Sequence, residues 1–232
     1  MRRTTRMPGA AKAFCATLVL AYAQASSQAL PTAQPAQPIS PTQARLLEAG
    51  WQYQRAGSEL SATVFDIRQS NLPARDPQDN NAFVLIGSNR SRGVELRAIG
   101  KALGADLSAN LTRLNARVEN PVNPTQGAYL TGAADGYGSV KVALPLAGVG
   151  DFWVATQFAA SRPGNDRADF RAPGYAVLSL GLNGHLGTTL RWSLRLDNAA
   201  DRRYVRALTG ADNVWQGERR RLTAWVEGAF GP

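Results

Sequence analysis

TTLRWSLRLD, from Thr188 to Asp197, and ERRRLTAWVEGAF, from Glu218 to Phe230, decide how this chain is built. Side chains alternate across an extended strand, so Leu190, Trp192, Leu194 and Leu196 share one side of the first stretch while Arg191, Ser193, Arg195 and Asp197 share the other. In the second stretch Leu222, Ala224, Val226, Gly228 and Phe230 oppose Arg219, Arg221, Thr223, Trp225 and Glu227. One face is oily and the other is charged. In a soluble sandwich the oily face packs on a second sheet, and in an outer-membrane barrel it meets lipid while the polar face lines a wet lumen. Alternation by itself is compatible with both.

The same period-two pattern predicts seven earlier strands, for about nine in all: residues 44–55, 59–71, 91–101, 105–117, 138–146, 151–160 and 175–183. In most of them one face stands out, as with Leu47, Ala49, Trp51 and Tyr53 against Glu48, Gly50 and Gln52, or Val140, Val142 and Leu144 against Ser139 and Lys141. The second strand is ambiguous, because Leu60/Ala62/Val64 and Thr63/Phe65/Ile67 compete for the apolar side. No helical period accompanies the pattern. No run of roughly 18 to 20 consecutive apolar residues is present either, which excludes a membrane-spanning helix but not spanning strands.

The connections separate the two architectures. Short turns at 56–57, 103–104, 147–150 and 184–187 alternate with long polar loops at 72–90, 118–137, 161–174 and 198–217. Outer-membrane barrels join their strands in this way, with short periplasmic turns and long extracellular loops. On that orientation the last strand ends in the periplasm but the first of nine begins outside, whereas bacterial barrels have an even strand number. The expectation is an all-β antiparallel meander forming part of a transmembrane β-barrel, completed by strands from elsewhere.

Residues 1–25 read as an export signal, with a basic Arg2, Arg3, Arg6 and Lys12 region, an apolar run from Ala13 to Ala23, and cleavage after Ala23 or Ala25. Residues 26–42, carrying Pro31, Pro35, Pro38 and Pro41, read as an extended linker. Residues 43–232 are the barrel segment. Cys15, the one cysteine, lies in the signal, so the mature chain would hold neither a disulfide nor a Cys-ligated metal. The formal charge of +9 falls to +5 without the signal's four cations, and the remainder is interleaved along strands and not gathered into one patch. That pattern argues against nucleic acid and toward outer-membrane lipid and lipopolysaccharide as the anionic partner.

Four blocks, in order, resemble the C-terminal barrel portion of a TonB-dependent outer-membrane receptor. They are SPTQARLLEAGWQY (40–53), LSATVFDIRQSNL (60–72), NRSRGVELRA (89–98) and LRLDNAADRRY (194–204), in which Asn198, Asp201 and Tyr204 keep the spacing of the family's Asn-Leu-Phe-Asp-x-x-Tyr block although Ala199 and Ala200 replace its Leu-Phe. The resemblance covers about residues 40–230. It implies uptake of a siderophore, vitamin or similar solute, location in the cell outer membrane and contact with the barrel-assembly machinery. No counterpart of the family's plug, TonB box or first barrel half is visible, so transport by this chain alone is not expected. The alternatives are an independent small outer-membrane pore or structural barrel, and a soluble periplasmic β-sandwich that binds carbohydrate or protein.

Candidate residues follow from facing. Trp51, Tyr53, Phe152, Trp192 and Phe230 are expected in a lipid-facing aromatic girdle. Glu48, Glu95, Arg97, Lys141, Arg191, Arg195, Arg219 and Arg221 are expected as lumen-facing charges, paired among Glu95, Asp197 and Glu227 or meeting a plug or an anionic ligand. Loops 120–129 and 164–175 could contact an external ligand, and their Pro, Gly and Asn content is equally what any long loop needs. Asp66, Asp106 and Glu95 lie on different strands without Ser, His or Cys partners, and His185 is isolated in a short turn. The sequence therefore suggests neither an enzyme nor a cofactor or metal site.

Overall fold

The computed structural model describes residues 21–25, 41–75, 83–119, 128–187 and 189–228. It is a single ten-stranded antiparallel meander. Its strands in chain order are β1 (Ala21–Ala25), β2 (Thr42–Arg55), β3 (Ser58–Arg75), β4 (Phe83–Ala102), β5 (Ala105–Glu119), β6 (Gly136–Leu146) and β7 (Gly150–Ala159). The short loop strands β8 (Arg162–Pro163) and β9 (Arg171–Ala172) come next, then β10 (Tyr175–Leu186), β11 (Leu190–Asp197), the loop strands β12 (Val205–Leu208) and β13 (Val214–Gln216), and β14 (Arg221–Gly228). Every wall strand pairs with its neighbour in sequence once the two loop hairpins β8–β9 and β12–β13 are set aside. Among the described residues no second sheet covers the apolar face, which overturns the sandwich alternative.

The sheet is a meander because its turns leave no other choice. Ala56 and Gly57 (φ 45° and 80°) and Leu103 and Gly104 (φ 51° and 81°) each put two successive residues in the left-handed region, the geometry of a tight two-residue hairpin. These turns fix register, and register fixes facing. Leu60, Ala62 and Val64 stand opposite Ala98, Leu96 and Val94, on the apolar face, while Thr63, Phe65 and Ile67 stand opposite Glu95, Gly93 and Ser91. The ambiguity of the second strand is thereby removed. Phe65 turns inward and lies over Gly93, where a Cβ would come within 2.4 Å of its ring.

Aromatic side chains directly opposite glycines recur through the wall. Trp153 faces Gly181, Phe158 faces Gly138 and Trp192 faces Gly184, and a Cβ on any of these glycines would press into the ring at 2.2, 2.9 and 2.5 Å respectively. Each ring covers backbone that its partner cannot cover, so the pair supplies contact area without a bulky neighbour.

The tenth strand was not expected. Ala21–Ala25, read from sequence as the end of an export signal, pairs with Leu46 back to Thr42. β1 runs antiparallel to β2, with Ala25 opposite Thr42. With β1 counted, the sheet begins and ends at its short-turn end, which answers the parity mismatch of a nine-strand reading. Cleavage after Ala23 or Ala25 would cut this strand.

Two outcomes check these placements. Peptide mass mapping of the membrane-inserted chain distinguishes the two roles of Ala21–Ala25: recovery of these residues still attached supports the strand, and a first residue at Gln24 or Ser26 supports the signal reading. Val226, 68% exposed on the apolar face opposite Trp192, is expected to tolerate Arg poorly. Val226→Arg should cost roughly 2–4 kcal/mol near a bilayer midplane, and its recovery at wild-type level in washed outer membranes would contradict the lipid-facing assignment.

Candidate functional site

The polar face forms a continuous wall. Lys141 and Arg195 approach the buried Trp153 ring, with Nζ 4.9 Å and Cζ 5.8 Å from its centroid, and Trp153 itself was not foreseen on this side. Arg195 also reaches Asp197 at 2.7 Å, and Asp197 accepts from Ser179 Oγ at 3.1 Å and lies 3.8 Å from Arg221. Arg191 stands opposite Glu227 and His185. Glu95 lies between Thr63 and Thr112, Arg97 lies between Ser61 and Asn110, and Glu48 is opposite Phe65. Arg219 precedes β14 and lies off the wall altogether, hydrogen-bonded to Asp201 at 2.8 Å. The expected pairing with Asp197 therefore holds for Arg195 and Arg221, and Arg219 finds its carboxylate in a loop.

On the opposite face Trp51, Tyr53, Phe152 and Trp192 follow the apolar alternation, and the last three sit near the short-turn end. Trp51 and Tyr53 stack with centroids 6.2 Å apart. Phe230 lies outside the described residues.

Above the wall, at the long-loop end, three connections close over one another. Tyr129 N donates to Asp166 O at 2.8 Å, Gly132 N to Pro163 O at 2.8 Å, and Ala160 N to Gly136 O at 2.8 Å. Gly132 (φ 79°) passes so close to the Leu208 carbonyl that a Cβ would stand 2.6 Å from its oxygen. Arg171 ties the same group together through Asp135 at 2.8 Å and the Ser161 carbonyl at 3.2 Å.

Beneath this cap lies a cavity of about 580 Å³, with Asn110, Thr112, Tyr137, Ser139, Gln157, Arg162 and Tyr175 in its lining. Arg162 is 6% exposed. It donates through Nη1 to the Arg206 carbonyl, while Nε and Nη2 have no hydrogen-bond partner among the described residues. Its guanidinium sits 5.4 Å from the Tyr175 ring. A buried cation with two unused donors is costly unless an acceptor arrives. The arrangement suits an anionic or oxygen-rich ligand presented from the long-loop side, since a guanidinium can engage two oxygens at once. Tyr175, at the end of loop 164–175, lines this region, and most of loop 120–129 lies outside the described residues. Alternation could not have flagged Arg162, because it sits in a loop hairpin. Among the described residues no group of three His, Cys, Asp or Glu gathers as a metal would require.

The cap is anchored by the block that resembled a family motif. Asn198 (φ 47°), 2% exposed, donates through Nδ2 to the carbonyls of Arg202 at 2.8 Å and Glu218 at 2.9 Å and accepts from the Arg202 amide at 2.8 Å. Asp201 accepts from the Arg219 guanidinium and the Arg220 amide, which hold its carboxyl well below the usual carboxylate range. A carboxyl depressed in the fold contributes above the ordinary carboxylate pKa and loses its effect as acid titrates the folded form, so this clamp persists through neutral and mildly acidic pH. Tyr204 lies against Tyr175 in a tilted pair with centroids 4.4 Å apart and planes at 38°, burial pushes its phenol up, and Gly217 lies against its ring, where a Cβ would come within 1.9 Å.

Comparison with known proteins matches this geometry. A family model described as TonB dependent receptor-like, beta-barrel matches residues 3–199. The ferrioxamine B receptor of Salmonella typhimurium is 27% identical over 209 residues, covering 83% of this chain and 29% of that protein. Among solved structures, the ferric yersiniabactin uptake receptor FyuA from Yersinia pestis superposes with a TM-score of 0.72 at 19% identity, over 87% of this chain and 32% of that one. The ferric-catecholate import receptor Fiu from K12 E. coli gives 0.68 at 18% identity, over 88% and 30%. The chain spans about a third of the length of these relatives. It belongs to the TonB-dependent receptor β-barrel family.

The Asn198 knot is expected to be structural. Asn198→Ala strips two carbonyls and one amide of their partners and places alanine at a positive φ, for a loss of roughly 1–3 kcal/mol, read by denaturant unfolding in detergent together with faster proteolysis of residues 198–220. Unchanged unfolding and cleavage would contradict the role.

Proposed function

We propose that this chain forms part of the wall and the outer rim of an outer-membrane receptor that takes up a metal chelate, vitamin or similar solute. The observation that carries the reading is the division of one continuous sheet into an apolar face with 24 large hydrophobic residues exposed across the described structure, mostly on that face, and a polar face crowned by the Arg162 cavity. Lipid resolves the first, and a solute entering from outside resolves the second.

In this reading Arg162, Tyr175 and Tyr137 meet the solute. The two unused guanidinium donors select an anionic or oxygen-rich group, and the aromatic rings offer flat surface beside it. Lys141, Arg195, Arg191 and Arg221 carry positive charge deeper along the same wall, where they suit either a passing anion or the acidic side chains of a domain seated in the lumen. The family's relatives are named for ferric chelates, and this chain's ligand class is proposed from them together with the cavity.

The ten strands make less than half of the length over which the relatives extend, and β1 and β14 each have one strand neighbour among the described residues. Barrel closure and energised transport then require further strands and a gate. Expressing residues 1–232 in a receptor-deficient strain, with and without a working TonB system, should give no energy-dependent accumulation of labelled ferric chelates or cobalamin. TonB-dependent uptake from this chain alone would overturn that expectation.

A further inference from the structure

The wall strands run alternately in opposite directions, because all nine junctions of the ten-stranded sheet are antiparallel. An even number of alternating strands leaves its outer members, β1 and β14, antiparallel to one another, each with one open side among the described residues. Open strand edges in hydrocarbon are costly. β14 shows the unmet neighbour in its side chains as well. Leu222 and Val226, 66% and 68% exposed, belong to the apolar side, where lipid covers them. Trp225 does not: it stands on the polar side in step with Arg221, Thr223 and Glu227, opposite the buried Ser193, and is 48% exposed. Trp153, the other tryptophan of the polar side, is 8% exposed because it lies against Gly181 of the adjacent strand. Trp225 has no described strand on its outer flank to cover it in the same way.

We propose that β14 of one copy of this chain pairs antiparallel with β1 of a second copy, so that a two-fold pair closes one wall, ten strands from each copy and twenty in all. The inference rests on the lipid-facing reading of the apolar side and on Ala21–Ala25 staying attached as a strand. Direction selects the occupant first. A two-fold axis along the barrel keeps the long loops of both copies at one end, makes each joint antiparallel, and makes the two joints alike, so that one kind of contact satisfies all four open edges. Facing agrees with it. The register of β1 sets Ala21, Ala23 and Ala25 opposite Leu46, Ala44 and Thr42, in step with Glu48 on the polar side, so Trp225 of one copy meets a strand that is alanine at each polar-side position. A large ring beside a small neighbour is the pairing that Trp153 and Gly181 already make within the wall. Closure within a single copy is the poorer fit. β14 does not pair with its own β1, and the sheet keeps the open curvature of the receptor wall on which it superposes.

The test uses the full chain expressed in a Gram-negative host and taken from washed outer membranes in non-ionic detergent. Two differently tagged forms, both Cys15→Ser, are co-expressed, one with Ala23→Cys and the other with Thr223→Cys, and treated with a short bifunctional thiol reagent. The expected result is a linked pair bearing both tags, absent when Ala155→Cys in the middle of the wall replaces Thr223→Cys, together with a protein mass of two chains for untreated wild type in the micelle. Trp225→Ala is expected to lower the linked fraction about threefold, since the ring is what the joint covers. A protein mass of one chain, a mass that includes a different protein, a link formed only within one chain when both cysteines are placed on it, or a first residue at Gln24 or Ser26 overturns the proposal. Recovery in the outer-membrane fraction reports the lipid-facing reading separately: a chain that never reaches the membrane overturns both, whereas a membrane-embedded single chain overturns the pairing alone. If Trp225→Ala does not accumulate, the cysteine link and the wild-type mass decide.

Discussion

Lipid offers a strand no hydrogen-bonding partner, and most of this structure follows from that. Each backbone amide and carbonyl left unpaired in the hydrocarbon costs several kcal/mol, so a chain that turns an apolar sheet face to the membrane must pair every strand on both sides. The meander does this economically for its interior strands, each hydrogen-bonded to its neighbours in sequence. Among the described residues β1 and β14 each have a single strand neighbour. The tight turns serve the same demand, since two successive left-handed residues return the chain at once and keep the short-turn end free of long unpaired backbone.

Facing was largely legible because a sheet with one apolar and one polar side imposes period two on its strands. Leu190, Trp192, Leu194 and Leu196 announced their side, and the structure keeps it. Where both sides of a strand carry apolar residues, alternation has nothing to read. Phe65 and Ile67 are inward because Gly57 closes a two-residue turn that sets the register, and because Gly93 leaves room for a ring, facts that live in β4 as much as in β3. Trp153 escaped for the same reason: its place on the polar face depends on Gly181 across the ladder and on two cations that come to it from other strands.

The loop cap was the least legible part. Arg162 belongs to a two-residue strand with no pattern around it, and its isolation is visible only once the backbone shows which carbonyl takes Nη1 and that nothing among the described residues takes Nε or Nη2. Arg219 was placed in the lumen by counting back along an alternating stretch that in fact begins as strand only at Arg221. The block around Asn198, Asp201 and Tyr204 was recognised by spacing, and the structure supplies its physical content: an amide knot, a carboxylate clamp and a tilted ring pair that together hold the long connection from β11 to β14 over the cavity.

Ala21–Ala25 shows how one composition serves two physical roles. A signal's apolar run and a lipid-facing strand are both chosen for transfer from water into hydrocarbon, so small and apolar residues near a terminus fit either. The distinction lies in the partner. A signal is bound briefly and cut, whereas a strand needs a neighbour in register; Thr42–Leu46 offers such a neighbour, and the same residues suit either role. With that strand in place both ends of the described sheet lie at its short-turn end. Each interior strand is then satisfied, and the demand for further backbone partners is concentrated on two edges that face the same requirement. A second set of strands that met both would close the wall, and the polar face already carries the charges, the Trp153 platform and the Arg162 cavity that an enclosed lumen would use.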